Sequence, residues 1–272
     1  MARTRKVKIS QTRKNITCRR RNNSLFCVGT SGFMVPQRTW LSLECLNCIE
    51  INSTFYRIPS EKVVEGWKSS PDRVAYIIKA SRFITHIKRL NDVEDAWNRL
   101  WSSIKHLGSR LKCVLFQLPP SFVNKDENIR RVEGMRKFLP RDLNIAIEFR
   151  HPSWFVNQTY TMMRKRGWCV VGTYISKKDG DNWMGTMSSG LIIPPLTAKF
   201  SYMRIHGAKG FRGSLTATQI ADLRRKLVSQ KPSLSFVMFN NVFFDSRGTT
   251  CTLNGNKIRY AAVCNAVQFA RM

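Results

Sequence analysis

Acidic residues are scarce in this sequence, where 17 Asp and Glu stand against 46 Lys and Arg for a formal net charge of +29. Residues 1–23 hold nine of the basic residues and no acid, and the rest of the chain keeps 37 basic against 17 acidic residues, a charge of +20. Because neutralised phosphates release counterions, a polyanion is the expected partner of such a charge. We predict nucleic acid, RNA or DNA, as that partner. A place in a larger nucleoprotein assembly would fit this prediction, and general solubility is the alternative explanation of the charge.

The sequence also lacks any run of 18 apolar residues, which argues against a membrane-spanning helix. Eight cysteines are scattered along the chain, with a single CxxC pair at Cys45 and Cys48. A lone pair favours structural thiols over a metal or redox site, so we expect reduced, buried thiols in an intracellular protein. The basic arm of residues 1–23 could bind nucleic acid or act as an organellar transit peptide or nuclear address. Nucleus, organelle and virion-like compartment are therefore not distinguished.

No GxGxxG turn follows the first apolar strand, which argues against a dinucleotide-binding open sheet. Eight short apolar strands instead alternate with helical patterns, as parallel βα units do. We predict a flexible basic tail at 1–23 and one α/β domain at 24–272, a (β/α)8 TIM-type barrel. Its sixth βα unit is expected to be degenerate, because glycines and two prolines in 176–199 argue against a full helix. The predicted strands are 25–28, 48–56, 74–78, 113–116, 145–147, 169–174, 200–203 and 235–239, and the predicted helices include 36–47, 91–109, 126–139, 153–166, 216–230 and 257–271.

Polar side chains follow seven of the eight predicted strands. In TIM-type barrels the working site lies at the C-terminal ends of the strands, whereas the opposite face is structural. A polar ring at these ends therefore indicates a site. The expected catalytic residues are Glu50, Glu148, His206 and Lys79. The expected substrate-binding residues are Thr30, Ser31, Asn52, Tyr56, His86, Gln117, Arg150, His151, Trp154, Arg204, Asn240 and Asn241.

Each of these residue types allows more than one role. Glu50 and Glu148 could be a proton donor and a base if their environments separate their pKa values, or they could be buried partners of the neighbouring cations. Lys79 could be a nucleophile or Schiff-base lysine, although an anion-binding role beside Arg150 and Arg204 is favoured. The histidines lack HxH or HxxxH spacing, so structural or phosphate-binding roles are favoured over metal ligation. No metal ligand is assigned, and cofactors stay open.

Seven short motifs in sequence order resemble the YecE-like family, which is known as a domain of unknown function. They are VGTSG (28–32), EINSTFYRIPS (50–60), IKASRFITH (78–86), FQLPPSF (116–122), AIEFRHPSW (146–154), RIHG (204–207) and FNN (239–241). The resemblance implies a TIM-type barrel with these motifs at one mouth, and it implies no reaction. Phe33 stands where the family has Trp, and the segment to Trp40 is shortened. The loops covering the site are therefore expected to be reduced.

The charge and the strand-end residues together give two functional hypotheses. The first is a nucleic-acid-associated barrel protein that binds RNA or DNA through its basic surface and tail. The alternative is a hydrolase, such as a phosphodiesterase, that acts on a phosphate-containing or nucleic acid substrate at the barrel mouth. Aromatic residues after the strand ends could stack on a base or pack as a lid in either case.

Overall fold

The computed structural model describes residues 26–175, 190–207, 213–240, 251–253 and 256–272, so the predicted tail lies outside the described chain. The described strands are β1 Phe26–Ser31, β2 Cys48–Ile51, β3 Ala75–Lys79, β4 Leu111–Gln117, β5 Ile145–Glu148, β6 Cys169–Val170, β7 Gly172–Ile175, β8 Gly190–Ile192, β9 Phe200–Ile205, β10 Leu234–Phe239, β11 Cys251–Leu253 and β12 Asn256–Ile258. The described α-helices are α1 Gln37–Leu41, α2 Glu61–Lys68, α3 Glu94–Ile104, α4 Asp126–Gly134, α5 Asn157–Arg166, α6 Ala217–Ser229 and α7 Ala261–Arg271.

Ten strands form one curled sheet in the order β6-β5-β4-β3-β2-β1-β10-β9-β7-β8. Its neighbouring strands run parallel except β7 and β8, which are antiparallel. The short segment from β6 to β7 has neighbours on both sides, because β6 pairs with β5 whereas β7 pairs with β9. Between them, Val171 N donates to Ile147 O at 2.9 Å. The structure therefore confirms a mostly parallel α/β architecture with a curled sheet.

The sheet separates two apolar layers. Side chains alternate between the faces of a strand, so in β2 Cys48 and Glu50 face the sheet interior while Ile49 and Ile51 face the helices. The larger layer lies between sheet and helices and includes the fully buried Trp40. The smaller layer fills the interior below the strand ends and comprises Cys48, Ala75, Ile77, Cys113, Leu115, Ala146, Cys169, Val171, Phe200, Tyr202, Phe236 and Met238. This smaller apolar layer therefore lies directly below the strand-end residues.

The helices begin and end at recognisable sequence signals. At the start of α6 the Thr216 hydroxyl accepts from Gln219 N, and the Gln219 side chain accepts from Thr216 N, which makes a capping box. Helix α5 ends at Gly167, whose φ of 65° lies in the left-handed region that glycine adopts without strain. No helix in the described ranges has the length and apolar character needed to cross a membrane.

All six helices with predicted bounds are shorter in the structure, and for two of them specific contacts give the reason. The predicted helix 36–47 ends at Leu41, because the Asn47 side chain holds the following segment against β1. Asn47 Oδ1 accepts from Val28 N at 2.7 Å, and Nδ2 donates to Phe26 O at 3.1 Å. The predicted helix 257–271 begins only at Ala261, because residues 256–258 form β12 against β11. Within the degenerate connection predicted at 176–199, residues 190–199 form β8 and irregular chain without a helix.

The expectation of reduced cysteines is confirmed only in part. Cys27, Cys48, Cys113 and Cys169 are not in disulfides, and the last three are buried. The expectation is wrong for Cys251 and Cys264, which form a disulfide that joins β11 to α7. Cys45 is disulfide-bonded as well, whereas Cys48 is not, so the two cysteines of the CxxC pair differ in oxidation state.

Candidate functional site

Four strands supply the charged and amide side chains that hydrogen-bond to one another at the C-terminal end of the sheet interior. They are Glu50 in β2, Gln117 at the end of β4, Glu148 at the end of β5 and Arg204 in β9. Both carboxylates are fully buried, and Arg204 is 1% exposed. Because an unpaired buried charge costs several kcal/mol, the partners of these groups decide what this charged layer can do.

Arg204 binds both carboxylates of the charged layer. Its Nε and Nη2 donate to the two oxygens of Glu50 at 3.0 and 2.7 Å. Its Nη1 donates to Glu148 Oε2 at 2.7 Å and to Gln117 Oε1 at 3.2 Å. The Tyr202 hydroxyl donates a further hydrogen bond to Glu50 Oε2. Charge-assisted contacts of this kind are the strong ones, so Arg204 links β9 to β2, β4 and β5 at the centre of the mouth.

These contacts decide the protonation of the layer. Burial alone would raise the pKa of Glu148, but Arg204 and Arg150 hold that pKa well below its usual range. Burial would likewise lower the pKa of Arg204, but Glu148 and Glu50 raise it instead. Burial and the Glu50 charge raise the pKa of Tyr202, whose hydroxyl therefore stays a donor. Glu148 is thus stabilised as an anion, which does not suit it to donate a proton at neutral pH.

Arg150 and His206 extend the layer. Arg150 Nε donates to Glu148 Oε1 at 2.9 Å, and burial lowers the pKa of this guanidinium to about 10, so it remains charged at neutral pH. His206 is fully buried, with Nδ1 3.3 Å from Nδ2 of Asn240. Burial and the charge of Arg204 lower the pKa of His206 well below its usual value. The imidazole is therefore neutral beside the cations.

Lys79 lies at the end of β3 with its amine against an aromatic ring. Its Nζ is 4.1 Å from the centroid of the Phe55 ring. The Thr54 hydroxyl lies 2.7 Å from the carbonyl oxygen of Lys79 and 2.9 Å from that of Ile51, which fixes the turn after β2 to the end of β3. Burial, followed by the charge of Arg204, lowers the pKa of Lys79 to about 7. About half of the molecules therefore hold a neutral amine at neutral pH.

His86 approaches the same aromatic ring from the next turn. Its ring lies 5.0 Å from that of Phe55 in an edge-to-face contact, and its Nδ1 is 2.9 Å from the Thr85 hydroxyl. Burial and the charge of Arg150 lower the pKa of His86 to about 4. Phe55 therefore contacts two nitrogen bases, Lys79 and His86, at the edge of the charged layer.

Three buried oxygen atoms near the layer have no hydrogen-bond partner among the described residues: Ser31 Oγ, Asn52 Oδ1 and Thr173 Oγ1. Ser31 is the strand partner of Glu50, and Thr173 is the strand partner of Arg204. Paired residues in parallel strands face the same side, so both hydroxyls face the sheet interior. Buried polar atoms are nearly always hydrogen-bonded, so these three positions favour a polar ligand or water at the mouth.

Two residues expected at the site lie in the packing on the helix side. Thr30 is on the outer face of β1, where its Oγ1 accepts from Trp40 Nε1 at 2.9 Å. Trp154 is fully buried and stacks on Phe149 with ring centroids 4.3 Å apart. The structure therefore does not bring either side chain to the charged layer, and both have structural contacts instead.

The remaining expected residues lie at the edge of the mouth or beyond the described chain. His151 Nδ1 accepts from Ser153 N at 3.2 Å and so caps a short turn after β5. Tyr56 is 80% exposed. Asn241 lies outside the described residues.

Sequence reasoning missed two inward-facing residues, Tyr202 and Thr173. Tyr202 precedes Arg204 by two positions in β9, so the two-residue period of a strand places both on one face. That signal was available once Arg204 was assigned to the interior. Thr173 follows Cys169 by four positions and Val171 by two, so the same period places it on the interior face with these two residues.

Comparison with known proteins bears on the family and the fold of this chain. The family model described as "Protein of unknown function DUF72" matches residues 34–271. The chain belongs to the DUF72 family. UPF0759 protein YunF of Bacillus subtilis (strain 168) is 31% identical over 131 residues, which is 44% of this chain and 46% of YunF. UPF0759 protein YecE of Escherichia coli (strain K12) is 27% identical over 125 residues, 44% of each chain. The match spans less than half of either relative, and the predicted YecE-like resemblance is confirmed.

Two solved structures of DUF72 proteins share the fold. The structure from Enterococcus faecalis has a TM-score of 0.72 at 18% identity and covers 91% of this chain and 94% of its own. The structure from Thermotoga maritima has a TM-score of 0.69 at 23% identity, with coverage of 91% and 98%. At these identities the likeness concerns the fold alone, and it agrees with a TIM-like barrel.

Proposed function

We propose that this DUF72 protein is a nucleic-acid-binding barrel protein that holds RNA or DNA at the rim of the barrel mouth, with its basic tail adding contacts. We define the rim as residues 53–58 and 82–89. The observation that carries the proposal is the mixture of exposed apolar and basic side chains there. Tyr56 is 80% exposed, Ile87 60% and Phe83 41%. The exposed basic residues of the rim are Arg57, Arg82 and Arg89.

The two rim segments form one surface. The Phe55 ring contacts the Tyr56 ring at 5.1 Å and the His86 ring at 5.0 Å, which joins the turn after β2 to the turn after β3. Neither segment contains an acidic residue. Proteins that bind single-stranded nucleic acid usually combine aromatic side chains, on which the bases stack, with a positively charged surface that follows the phosphate backbone. Stacking contributes about 1–3 kcal/mol per base.

We also infer that the sheet closes as a (β/α)8 barrel. In this interpretation β6 and β7 count as one strand, since only Val171 separates them and their pairing reaches β5 on one side and β9 on the other. β8 is then an addition at the sixth unit. The closed barrel supports the proposal because it gathers the strand ends and the rim around one mouth.

The hydrolase alternative has less support from the geometry. An acid and base pair needs one carboxyl that holds a proton at neutral pH. Glu50 accepts three hydrogen bonds from Arg204 and Tyr202, and the pKa of Glu148 is held low by two arginines. These contacts suit a structural ion cluster under a binding surface better than proton transfer.

Equilibrium binding of fluorescent single-stranded RNA and DNA across a salt series tests the proposal. We expect tight binding that weakens steeply with salt, because each phosphate contact to a single strand contributes about −0.7 to the slope of log K against log salt. The variant Arg57→Gln/Arg82→Gln/Arg89→Gln should make this slope shallower by about 2. Tyr56→Ala should weaken binding by about 5- to 150-fold at every salt concentration.

A matched control variant distinguishes binding at the rim from binding through the overall positive charge of the protein. Lys112, Arg141 and Lys199 are exposed and lie just before or at the start of β4, β5 and β9, at the opposite end of the sheet. The triple change to Gln removes the same charge there and should leave most of the affinity. Equal losses from the two triple variants would place binding outside the rim, and weak binding that ignores salt would overturn the proposal.

A further inference from the structure

The Lys79 amine is the nucleophile of the mouth that the proposed function does not use. No carboxylate among the described residues lies within 4 Å of its Nζ. The nearby anions are already engaged, since Glu50 and Glu148 bind Arg204 and Arg150. Lys79 is 9% exposed, so the side chain is nearly enclosed yet retains contact with solvent. An amine held in this way is available to react.

Its surroundings favour an uncharged, hydrogen-bonding ligand. In the charged layer the two negative charges of Glu50 and Glu148 are balanced by the two positive charges of Arg150 and Arg204. The Ser31 and Thr173 side-chain oxygens have no partner within the described ranges, and these residues, which are 2% and 1% exposed, face the same interior. Hydroxyl groups of a ligand can both donate to and accept from such oxygens.

We propose that Lys79 is a carbonyl-reactive lysine whose ligand is a small hydroxylated aldehyde or ketone, held by the Ser31 and Thr173 hydroxyls. In this reaction Nζ attacks the carbonyl carbon and forms a carbinolamine. The carbon–oxygen bond then breaks, and the oxygen leaves as water with the two protons lost from nitrogen, which gives an imine. No oxidant or reductant is needed, because condensation leaves the oxidation state of the carbon unchanged.

The charge state of Lys79 fits this chemistry. Only a neutral amine attacks a carbonyl, and burial together with Arg204 brings the pKa of Lys79 to about 7. An ordinary lysine with a pKa near 10.4 is neutral in only about 0.04% of molecules at pH 7. His86 contacts the same Phe55 ring and is neutral at this pH, so burial and the charge of Arg204, and not the imidazole, lower the pKa of the amine.

Reductive trapping tests the inference on the full chain without nucleic acid. The protein is incubated at pH 7 with glyceraldehyde or propanal and sodium cyanoborohydride, and each lysine is quantified by peptide mass spectrometry. We expect Lys79 to be alkylated at least about tenfold faster than exposed lysines such as Lys112 and Lys199, since its neutral fraction is far larger. Lys79→Met should remove this fast site, whereas Lys112→Met should leave it.

Comparing glyceraldehyde with its apolar analogue propanal tests the assigned ligand class separately from the reactivity of Lys79. Ser31→Ala and Thr173→Val should slow alkylation of Lys79 by glyceraldehyde more than alkylation by propanal. An unchanged preference would overturn the assigned ligand class. Alkylation of Lys79 in the wild-type protein no faster than that of Lys112 would overturn the reactive lysine itself. The inference does not depend on the proposed function, because nucleic acid binding can fail while trapping succeeds, and the reverse.

Discussion

Replacement of Arg204 by methionine should strongly destabilise the fold. The change removes the three hydrogen bonds that Arg204 donates at 2.7–3.0 Å to Glu50 and Glu148. Glu148 keeps Arg150 as a partner, but among the described residues Glu50, at 0% exposure, keeps only the Tyr202 hydroxyl. Breaking a buried pair so that one charge is left uncompensated costs about 3–5 kcal/mol. We expect a loss of that size in the free energy of unfolding.

Urea denaturation followed by far-UV circular dichroism measures this loss. With a urea dependence of about 3 kcal/mol per molar, a loss of about 4 kcal/mol moves the midpoint down by about 1.3 M. Arg166→Met is the matched control, since Arg166 pairs at 2.8 Å with Glu133, which is 42% exposed. Pairs of that kind contribute about 0–1 kcal/mol, so the control should shift the midpoint little.

A second substitution identifies the cause of the loss. If the unpaired Glu50 carboxylate is responsible, Arg204→Met/Glu50→Gln should be more stable than Arg204→Met alone, because the amide carries no charge to bury. The reasoning is refuted if Arg204→Met costs no more than Arg166→Met, or if adding Glu50→Gln lowers stability further.

Three further results are expected from unfolding measurements. The free energy of unfolding should decrease as the pH is lowered from 6.5 to 5, because the lowered pKa values of His86 and His206 let only the unfolded chain take up protons in this range. His206→Gln should make this pH dependence weaker. As the pH is raised from 7 to 10, the free energy of unfolding should increase by up to about 1.4 kcal/mol per pH unit, because Lys79 keeps its proton in the unfolded chain and has released it in the folded chain. Lys79→Met should not show this increase. Cys251→Ser/Cys264→Ser should cost about 3 kcal/mol in urea unfolding without reductant, because it removes a disulfide with a sequence separation of 13 and leaves the bonded Cys45 untouched.

Much of the architecture was predictable because the strands are short, apolar and regularly spaced. The same periodicity located the mouth, since Glu50, Glu148 and Arg204 stand at strand ends and are buried together in the structure. The partners within the mouth were not predictable. Arg204 and Glu50 are 154 positions apart, and only the tertiary structure determines that Arg204, and not Lys79, pairs with Glu50.

The incorrect assignments trace to features that periodicity does not contain. Thr30 and Ser31 are adjacent and equally polar, and the register of β1 alone decides that Ser31 faces inward while Thr30 contacts Trp40. The disulfide between Cys251 and Cys264 could not be inferred, because spacing alone does not give connectivity. Both depend on tertiary contacts.

Photo-crosslinking gives the most direct test that the rim binds nucleic acid. Single-stranded oligonucleotides with photoreactive bases would be irradiated with the full chain, and the crosslinked peptides would be identified by mass spectrometry. We predict crosslinks to peptides from residues 53–58 and 82–89, with Tyr56 and Phe83 as the modified residues, and competition by unlabelled strand. Crosslinks confined to other parts of the chain, with the rim peptides unmodified, would contradict the account.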